Sequence, residues 1–288
     1  MHMQITPWYH AGSGTFTYLV DDGHGHCAVI DPVLDYDPAS GRTGTQSLAP
    51  VQQALRTGHS RLVWILETHV HADHLSGAQA LQAEFGGTTA AGAGVHDVVQ
   101  AFTPAFGWRR RALPTFERLF ADGEQFEIGR LNARVLHVPG HTPADIAYLV
   151  ESPDGGPAAV FVGDTLFAPD LGTARCDFPG GCARTLYASI QRLLALPDDT
   201  AIYLCHDYPP PGRGPQHRCT VAEQRALNIH VGAGISADTF VQRRESRDRT
   251  LSLPQLMLPA VQFNALAGRA ADVSDDGVAY LRIPLNAF

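Results

Sequence analysis

Three histidines and an aspartate fall within six positions of the stretch ETHVHADHLSG: His69, His71, Asp73 and His74. Imidazole and carboxylate are the side chains that hold first-row divalent metals, and in an extended loop alternate residues such as His69, His71 and Asp73 face one side. The pattern H-x-H-x-D-H therefore reads as a metal site rather than a solvated polar loop. It directly follows RLVWILET, which reads as a buried strand. Four more metal-competent residues share that placement after an apolar run: His141 after ARVLHVPG, Asp164 after AAVFVG, His206 after AIYLC and Asp31 after CAVI. Strand ends in layered α/β proteins converge on one edge, where loops aim side chains at a common point. Several of these groups are thus expected within metal-bond reach of one another.

The remaining histidines read differently. His24 and His26 with Cys27 sit among Gly23 and Gly25, which mark a hairpin turn. His10, His59, His96, His137, His217 and His230 read as surface or core residues. The run TTAAGAGVHD lacks the glycine spacing of a nucleotide-binding loop.

The elements that would carry these residues alternate. FTYLVDDGHGHCAVIDP reads as a hairpin, and SLAPVQQALRTGH as a helix capped by Ser47 and stopped at Gly58. HLSGAQALQAEFGG and GVHDVVQAF read as helices, with RLVWILET a strand before them. A second block of strands follows in QFEIGRLNARVLHVPGH, with a turn at Gly129, and in IAYLVESPDGGPAAVFVGD. RTLYASIQRLLALP is an amphipathic helix and AIYLCHDY another strand. Strand blocks alternating twice with helices suggest an α/β fold of two sheets packed together with helices outside, a four-layer α/β/β/α sandwich. No repeat or linker divides the chain, so one domain over residues 1–288 is expected, with a C-terminal helical extension from about residue 235.

A formal net charge of −8, with WRRRA around Arg109–Arg111 as the only basic run, leaves no electrostatic footprint for nucleic acid. No apolar stretch approaches the roughly 18 to 20 residues that span a bilayer. The start MHMQITPWYH lacks the regions of a signal peptide. A cytoplasmic protein with neither nucleic acid nor membrane among its partners is expected. Cys27, Cys176, Cys182, Cys205 and Cys219 form an odd set without a C-x-x-C pair, which points to reduced thiols.

THVHADH followed by PGHTPAD, GDTLF and CHDY resembles the metallo-β-lactamase superfamily over roughly residues 4 to 230. Within it, VLDYDPASGRTGT, LETHVHADHLSGA, FVGDTLFAPDLGTARCDFPGGCARTLYASIQRLLALP and CHDYPPPGR are similar to the persulfide dioxygenases. That resemblance implies one Fe(II) per chain on His69, His141 and Asp164, and oxidation of glutathione persulfide with O2 to sulfite and glutathione. His71, Asp73, His74 and His206 would then orient ligands and waters by hydrogen bonds. It also implies glutathione contacts in the loops near the ligands, where Arg175, Tyr208 and Arg213 stand; arginine forks suit carboxylates. An internal ion pair of Arg175 with Asp170 or Asp177 is the alternative there. Cys176 reads as a small buried residue rather than a sulfur carrier. The chain is expected to lack a sulfurtransferase domain, so persulfide supply would need a separate sulfurtransferase, and the family admits a homodimer.

The rival is a zinc-dependent glutathione thiolester hydrolase like type II glyoxalase. It would hold up to two Zn ions, one on His69, His71 and His141 and one on Asp73, His74 and His206, with Asp164 bridging. All seven residues are present, so the motif leaves iron and zinc open. A protein that keeps the metal without catalysis is disfavoured, since it gains nothing from burying so many polar groups together.

Overall fold

The computed structural model describes residues 3–108, 113 and 115–287; the basic run Arg109–Arg111 lies outside them. The first half runs β1 (Gln4–His10), β2 (Thr15–Asp21), β3 (His26–Ile30), β4 (Val33–Asp37), β5 (Arg42–Gly44), α1 (Ala49–Thr57), β6 (Arg61–Leu66), β7 (Leu75–Ser76), α2 (Ala78–Phe85), β8 (Thr88–Gly92), α3 (Val95–Phe106) and β9 (Arg118–Phe120). The second runs β10 (Gln125–Ile128), β11 (Leu131–His137), β12 (Ile146–Glu151), β13 (Ala159–Phe161), α4 (Ala183–Leu194), β14 (Ala201–Tyr203), β15 (Arg218–Thr220), α5 (Val221–Leu227), α6 (Ala237–Asp248), α7 (Met257–Asn264), β16 (Asp272–Val273) and β17 (Ala279–Tyr280).

Two six-stranded sheets result, in the orders β1-β2-β3-β6-β8-β9 and β10-β11-β12-β13-β14-β15. Their side-chain alternation explains the layering. In β3, Ala28 and Ile30 face the second sheet, where they meet Val135, Tyr148 and Phe161, while Cys27 and Val29 face outward onto Val51 and Leu55 of α1 and Leu81 of α2. In β12, Ile146, Tyr148 and Val150 point between the sheets, and Ala147 and Leu149 point to the cluster containing Leu186, Ile190 and Leu193 of α4 and Phe240 of α6. Strands covered on both faces must be apolar at every position, which is why Ile146–Val150 is an unbroken buried run. The architecture is thus the four-layer α/β/β/α sandwich.

Local departures from the sequence reading have local causes. Ser47 does not cap α1: Asp35 takes both its backbone N–H and its hydroxyl, and the helix starts without a side-chain cap, with Pro50 in its first turn. His74–Gly77 are not helical, because Leu75 and Ser76 pair with β4 before α2 begins. The tail holds the helices α6 and α7, but beyond them a two-stranded ribbon, β16 with β17, replaces helix. Among the described residues no helix is long and apolar enough to cross a membrane.

The loop that carries His141 is fixed by close approach. Gly140 has φ +141°, and a Cβ there would lie 2.3 Å from the backbone of Leu186 in α4. Its carbonyl accepts from Cys182 N at 2.8 Å. Gly140→Ala is expected to lose about 2 kcal/mol or more of stability, from backbone strain plus overpacking, read as a lower urea midpoint at unchanged slope.

Candidate metal centre

The motif loop leaves β6, and the other candidates follow β11, β13 and β14 at the same edge of the sandwich. The first sheet meets the second directly beneath them. Thr15, opening β2, bridges to His206, with Phe16 N donating to Cys205 O at 2.7 Å and Asp207 N to Gly14 O at 2.9 Å. His69, His141 and Asp164 offer ligand atoms within 4.8 Å of one another. His69 Nε2 and His141 Nε2 stand 3.8 and 3.5 Å from the same Asp164 Oδ2, and His206 Nε2 stands 3.2 Å from Asp164 Oδ1. His71, Asp73 and His74 form a second group of the same span, and His206 Nε2 lies 3.8 Å from Asp73 Oδ2. All seven sequence candidates are therefore neighbours, and all but the half-buried Asp73 are buried.

Whether these residues fit a metal is answered by their spare atoms. Buried polar atoms are normally hydrogen-bonded, yet His71 Nδ1, His74 Nε2 and Asp164 Oδ1 have no such partner. The opposite nitrogen of each ring is anchored. His71 Nε2 faces Asp31 Oδ1 at 3.0 Å, His69 Nδ1 faces Thr68 Oγ1 at 3.0 Å, and His141 Nδ1 faces Arg175 O at 2.7 Å. His74 Nδ1 and His206 Nδ1 lie 3.4 and 3.3 Å from Thr15 Oγ1. An imidazole anchored outward with its free nitrogen inward is the arrangement of a metal ligand, and nitrogen with carboxylate oxygen suits Fe(II) or Zn(II). The residues fit such an ion.

The anchors include Asp31, which the sequence placed among the metal-competent residues at strand ends and which here faces the outer nitrogen of His71, and Glu67, to which the sequence gave no role. Asp31 holds a left-handed backbone, φ +50°, and its carboxylate accepts from Thr68 N at 2.8 Å and Thr68 Oγ1 at 2.9 Å besides facing His71. Burial would raise its pKa, but His71 and the Thr68 bonds outweigh burial and hold it low. Glu67, buried with Oε2 3.2 Å from His71 Nε2, is pushed up by burial despite His71. Burial, then the neighbouring His71 and His141, holds His69 well below its usual value, so it is neutral and ready to donate its lone pair. Burial opposes ionisation of Asp73, but His206 and His74 overcome it and keep the carboxyl well below the ordinary range.

Asn264, closing α7, clamps the motif loop from the far end of the chain. Its Nδ2 donates to His71 O at 2.9 Å and to His74 O at 2.7 Å, while its Oδ1 accepts from Ser76 N at 2.8 Å. No sequence signal distinguishes it from a surface asparagine. Glu67 could have been suspected from its place two residues before the motif. Thr15 carried no signal.

A cleft of about 650 Å³ opens over Asp73, His141, Asp164 and His206. Arg175 lines it, but its fork grips Asp177 at 2.6 and 2.7 Å and its third donor takes Ser252 O at 2.7 Å, which is the internal pair foreseen as the alternative. Arg213 does not line it: Asp207 at 2.7 and 2.8 Å and Asp170 at 2.9 and 3.2 Å hold the guanidinium in the wall. Tyr208 stands at the mouth, 51% exposed, its ring stacked on His206 at 5.8 Å. The tail supplies two unforeseen cations. Arg244 is buried against Asp248, whereas Arg247 is exposed and, among the described residues, has no carboxylate partner. Cys176 is buried, its thiol pushed up by burial, and so unsuited to nucleophilic work.

A sandwich with this cluster at one edge defines a family of metal-dependent enzymes. The model of the metallo-beta-lactamase superfamily matches residues 11–206, and the chain belongs to that superfamily. A "probable metallo-hydrolase" of Burkholderia pseudomallei (strain 1710b) is 47% identical over 99% of this chain and 100% of its own. Glyoxylase B2 of Dictyostelium discoideum is 41% identical over 99% of this chain and 97% of its own. The crystal structure of ETHE1 from Myxococcus xanthus matches with a TM-score of 0.72 at 30% identity, over 93% of this chain and 100% of that one.

The clamp gives a direct test. Asn264→Ala leaves two buried carbonyls and one N–H unpaired, so metal affinity is expected to fall at least about tenfold, measured by chelator competition, with the remaining fold intact by circular dichroism.

Proposed function

We propose that the protein is an iron-dependent persulfide dioxygenase, converting glutathione persulfide, O2 and water to glutathione and sulfite. The observation that carries this reading is the set His69, His141 and Asp164: two imidazole nitrogens and one carboxylate oxygen within 4.8 Å of one another, with His141 and Asp164 lining the cleft. His69, His141 and Asp164 would hold Fe(II) as the two-histidine, one-carboxylate donor set that non-haem oxygenases use. When bound, the iron supplies the redox chemistry between O2 and sulfur. The similarity of the loop segments to persulfide dioxygenases and the match to Myxococcus xanthus ETHE1 support the reading.

The residues of the chain have separate tasks in it. His206 stands beside the Asp164 carboxylate, its Nε2 3.2 Å from Oδ1. Phe167, Leu171, Phe178 and Leu251 give the cleft apolar walls for the body of the thiol. Arg247 offers the cation for a glutathione carboxylate, in place of Arg213, and Tyr208 offers a hydroxyl at the mouth. Arg175 holds His141 through its backbone oxygen while its side chain stiffens the wall.

A second reading has its own support. The convergence of all seven residues, with Asp73 and His74 turned to the same space, suits a two-zinc thiolester hydrolase, and the 41% identity to Dictyostelium glyoxylase B2 points the same way. Metal analysis of protein purified without added metal, joined to oxygen-electrode recording with fresh glutathione persulfide, separates them. About one iron per chain with O2 uptake and sulfite release is expected. About two zinc per chain with thiolester cleavage and no O2 uptake would move the function to the hydrolase. Loss of a charged hydrogen bond costs about 1.5 to 3 kcal/mol, so Arg247→Ala is expected to raise the KM for glutathione persulfide by about tenfold with kcat little changed.

A further inference from the structure

A second cleft, of about 630 Å³, reaches the same centre from the other side, with His10, Asp35, Tyr36 and Arg42 on its walls and Asp73 and His74 at its floor. The two clefts open on different halves of the centre. His141, Asp164 and His206 line the first but not the second, His74 lines the second but not the first, and Asp73 is common to both. Each floor holds a buried atom with no hydrogen-bond partner, Asp164 Oδ1 in the first and His74 Nε2 in the second, and His74 is only 2% exposed. Spare ligand atoms alone therefore do not distinguish the two ways in.

The walls do distinguish them. In the first cleft the apolar side chains of Phe167, Leu171, Phe178 and Leu251 stand with three arginines. Arg175 and Arg244 are paired with Asp177 and Asp248, and Asp170 with Arg213, which leaves the charge of Arg247 uncompensated. A dication approaching there is repelled, and it meets no carboxylate free of an arginine before the ligands themselves. The second cleft carries Asp35 and Asp37 against the single guanidinium of Arg42. Asp35 accepts from the N–H and O–H of Ser47, and Asp37 from Ala39 N and Ser40 Oγ. Among the described residues neither is paired with an arginine. The bonds from Ser40 and Ala39 hold the Asp37 carboxyl below its ordinary pKa, so it is ionised. A carboxylate has about four lone-pair sites, so both groups keep acceptor capacity for a passing cation. A cleft whose walls carry one sign of charge concentrates the opposite ion.

We propose that the second cleft is the route by which the divalent metal ion enters and leaves the centre, with Asp35 and Asp37 drawing it in toward Asp73 and His74, while the first cleft is left to the organic substrate. The inference rests on the metal-dependent reading of the site and on neither of the two reactions in particular. Carboxylate oxygens replace water around the ion along the way, and no electron is transferred.

The test follows Co(II) by its visible absorption as it binds the chelator-stripped full chain in stopped flow, and again as a chelator withdraws it. Thr43 and Ile229 are exposed residues that line the second and the first cleft. Thr43→Trp is expected to slow association by at least about tenfold, the lower end of what a charged cleft adds to an on-rate. Withdrawal slows by the same factor, because obstructing a path affects both directions alike, so affinity and final Co(II) content stay unchanged. Ile229→Trp changes neither rate. Asp37→Lys is expected to slow association about fivefold at low ionic strength and Arg42→Glu to speed it by a similar factor, both differences shrinking as salt is raised. Slower association in Ile229→Trp with Thr43→Trp unchanged overturns the route, and so do charge variants without effect at low salt. Should Thr43→Trp lower the affinity, it has disturbed the site, and the two charge variants on the β4–β5 hairpin decide. A wild type that takes up no Co(II) defeats the metal reading itself, whereas uptake with the opposite pattern among the variants defeats only the route.

Discussion

Everything at the active edge depends on one constraint: five imidazoles are packed together out of water, and each can point a nitrogen inward only if its other nitrogen is held from outside. Asp31, Thr68, the backbone oxygen of Arg175 and Thr15 supply those holds. Asp31, Thr68 and Thr15 stand at the ends of three different strands and Arg175 in the loop before α4, so the strand register and that loop must both be right for all five rings to agree. Desolvated polar groups left unmatched would cost several kcal/mol. The convergence of anchors explains why the inward atoms can remain unpaired until an ion takes them.

How much of this was legible in the sequence differed by kind of residue. His141, Asp164 and His206 could be found because each follows an apolar run, and strand ends of a layered fold share an edge. The double burial of β12 was likewise visible as an unbroken apolar string. Thr15 and Asn264 were invisible for a physical reason: a threonine opening a strand and an asparagine closing a helix are common, and their roles arise from contacts spanning 191 and 190 residues. Proximity in sequence also misled. Arg213 stands seven positions after His206, yet Asp207 and Asp170 were closer in space than any ligand could be, whereas Arg247 reaches the cleft from a helix that the sequence reading treated as a tail. Ser47 failed as a cap by the same competition, since Asp35 offered its hydroxyl and N–H a charged acceptor.

The two clefts divide the surface of the centre by chemistry. One is walled by Phe167, Leu171, Phe178 and Leu251 with an uncommitted guanidinium at its rim; the other is walled by His10, Asp35, Tyr36 and Arg42. An apolar wall favours the body of an organic thiol, while the polar one favours water. Asp73 touches both, so it is the point where the two environments meet.

The hold of Asn264 on the carbonyls of His71 and His74 has a bearing on biosynthesis. The motif loop is made early, but its backbone oxygens find their partner only when α7 packs beside it, after residue 264 has left the ribosome. Through most of translation the histidines therefore belong to an unclamped loop. Closing of the motif loop into its final shape becomes one of the last events of folding, and a chain halted before α7 would carry the same histidines without their clamp.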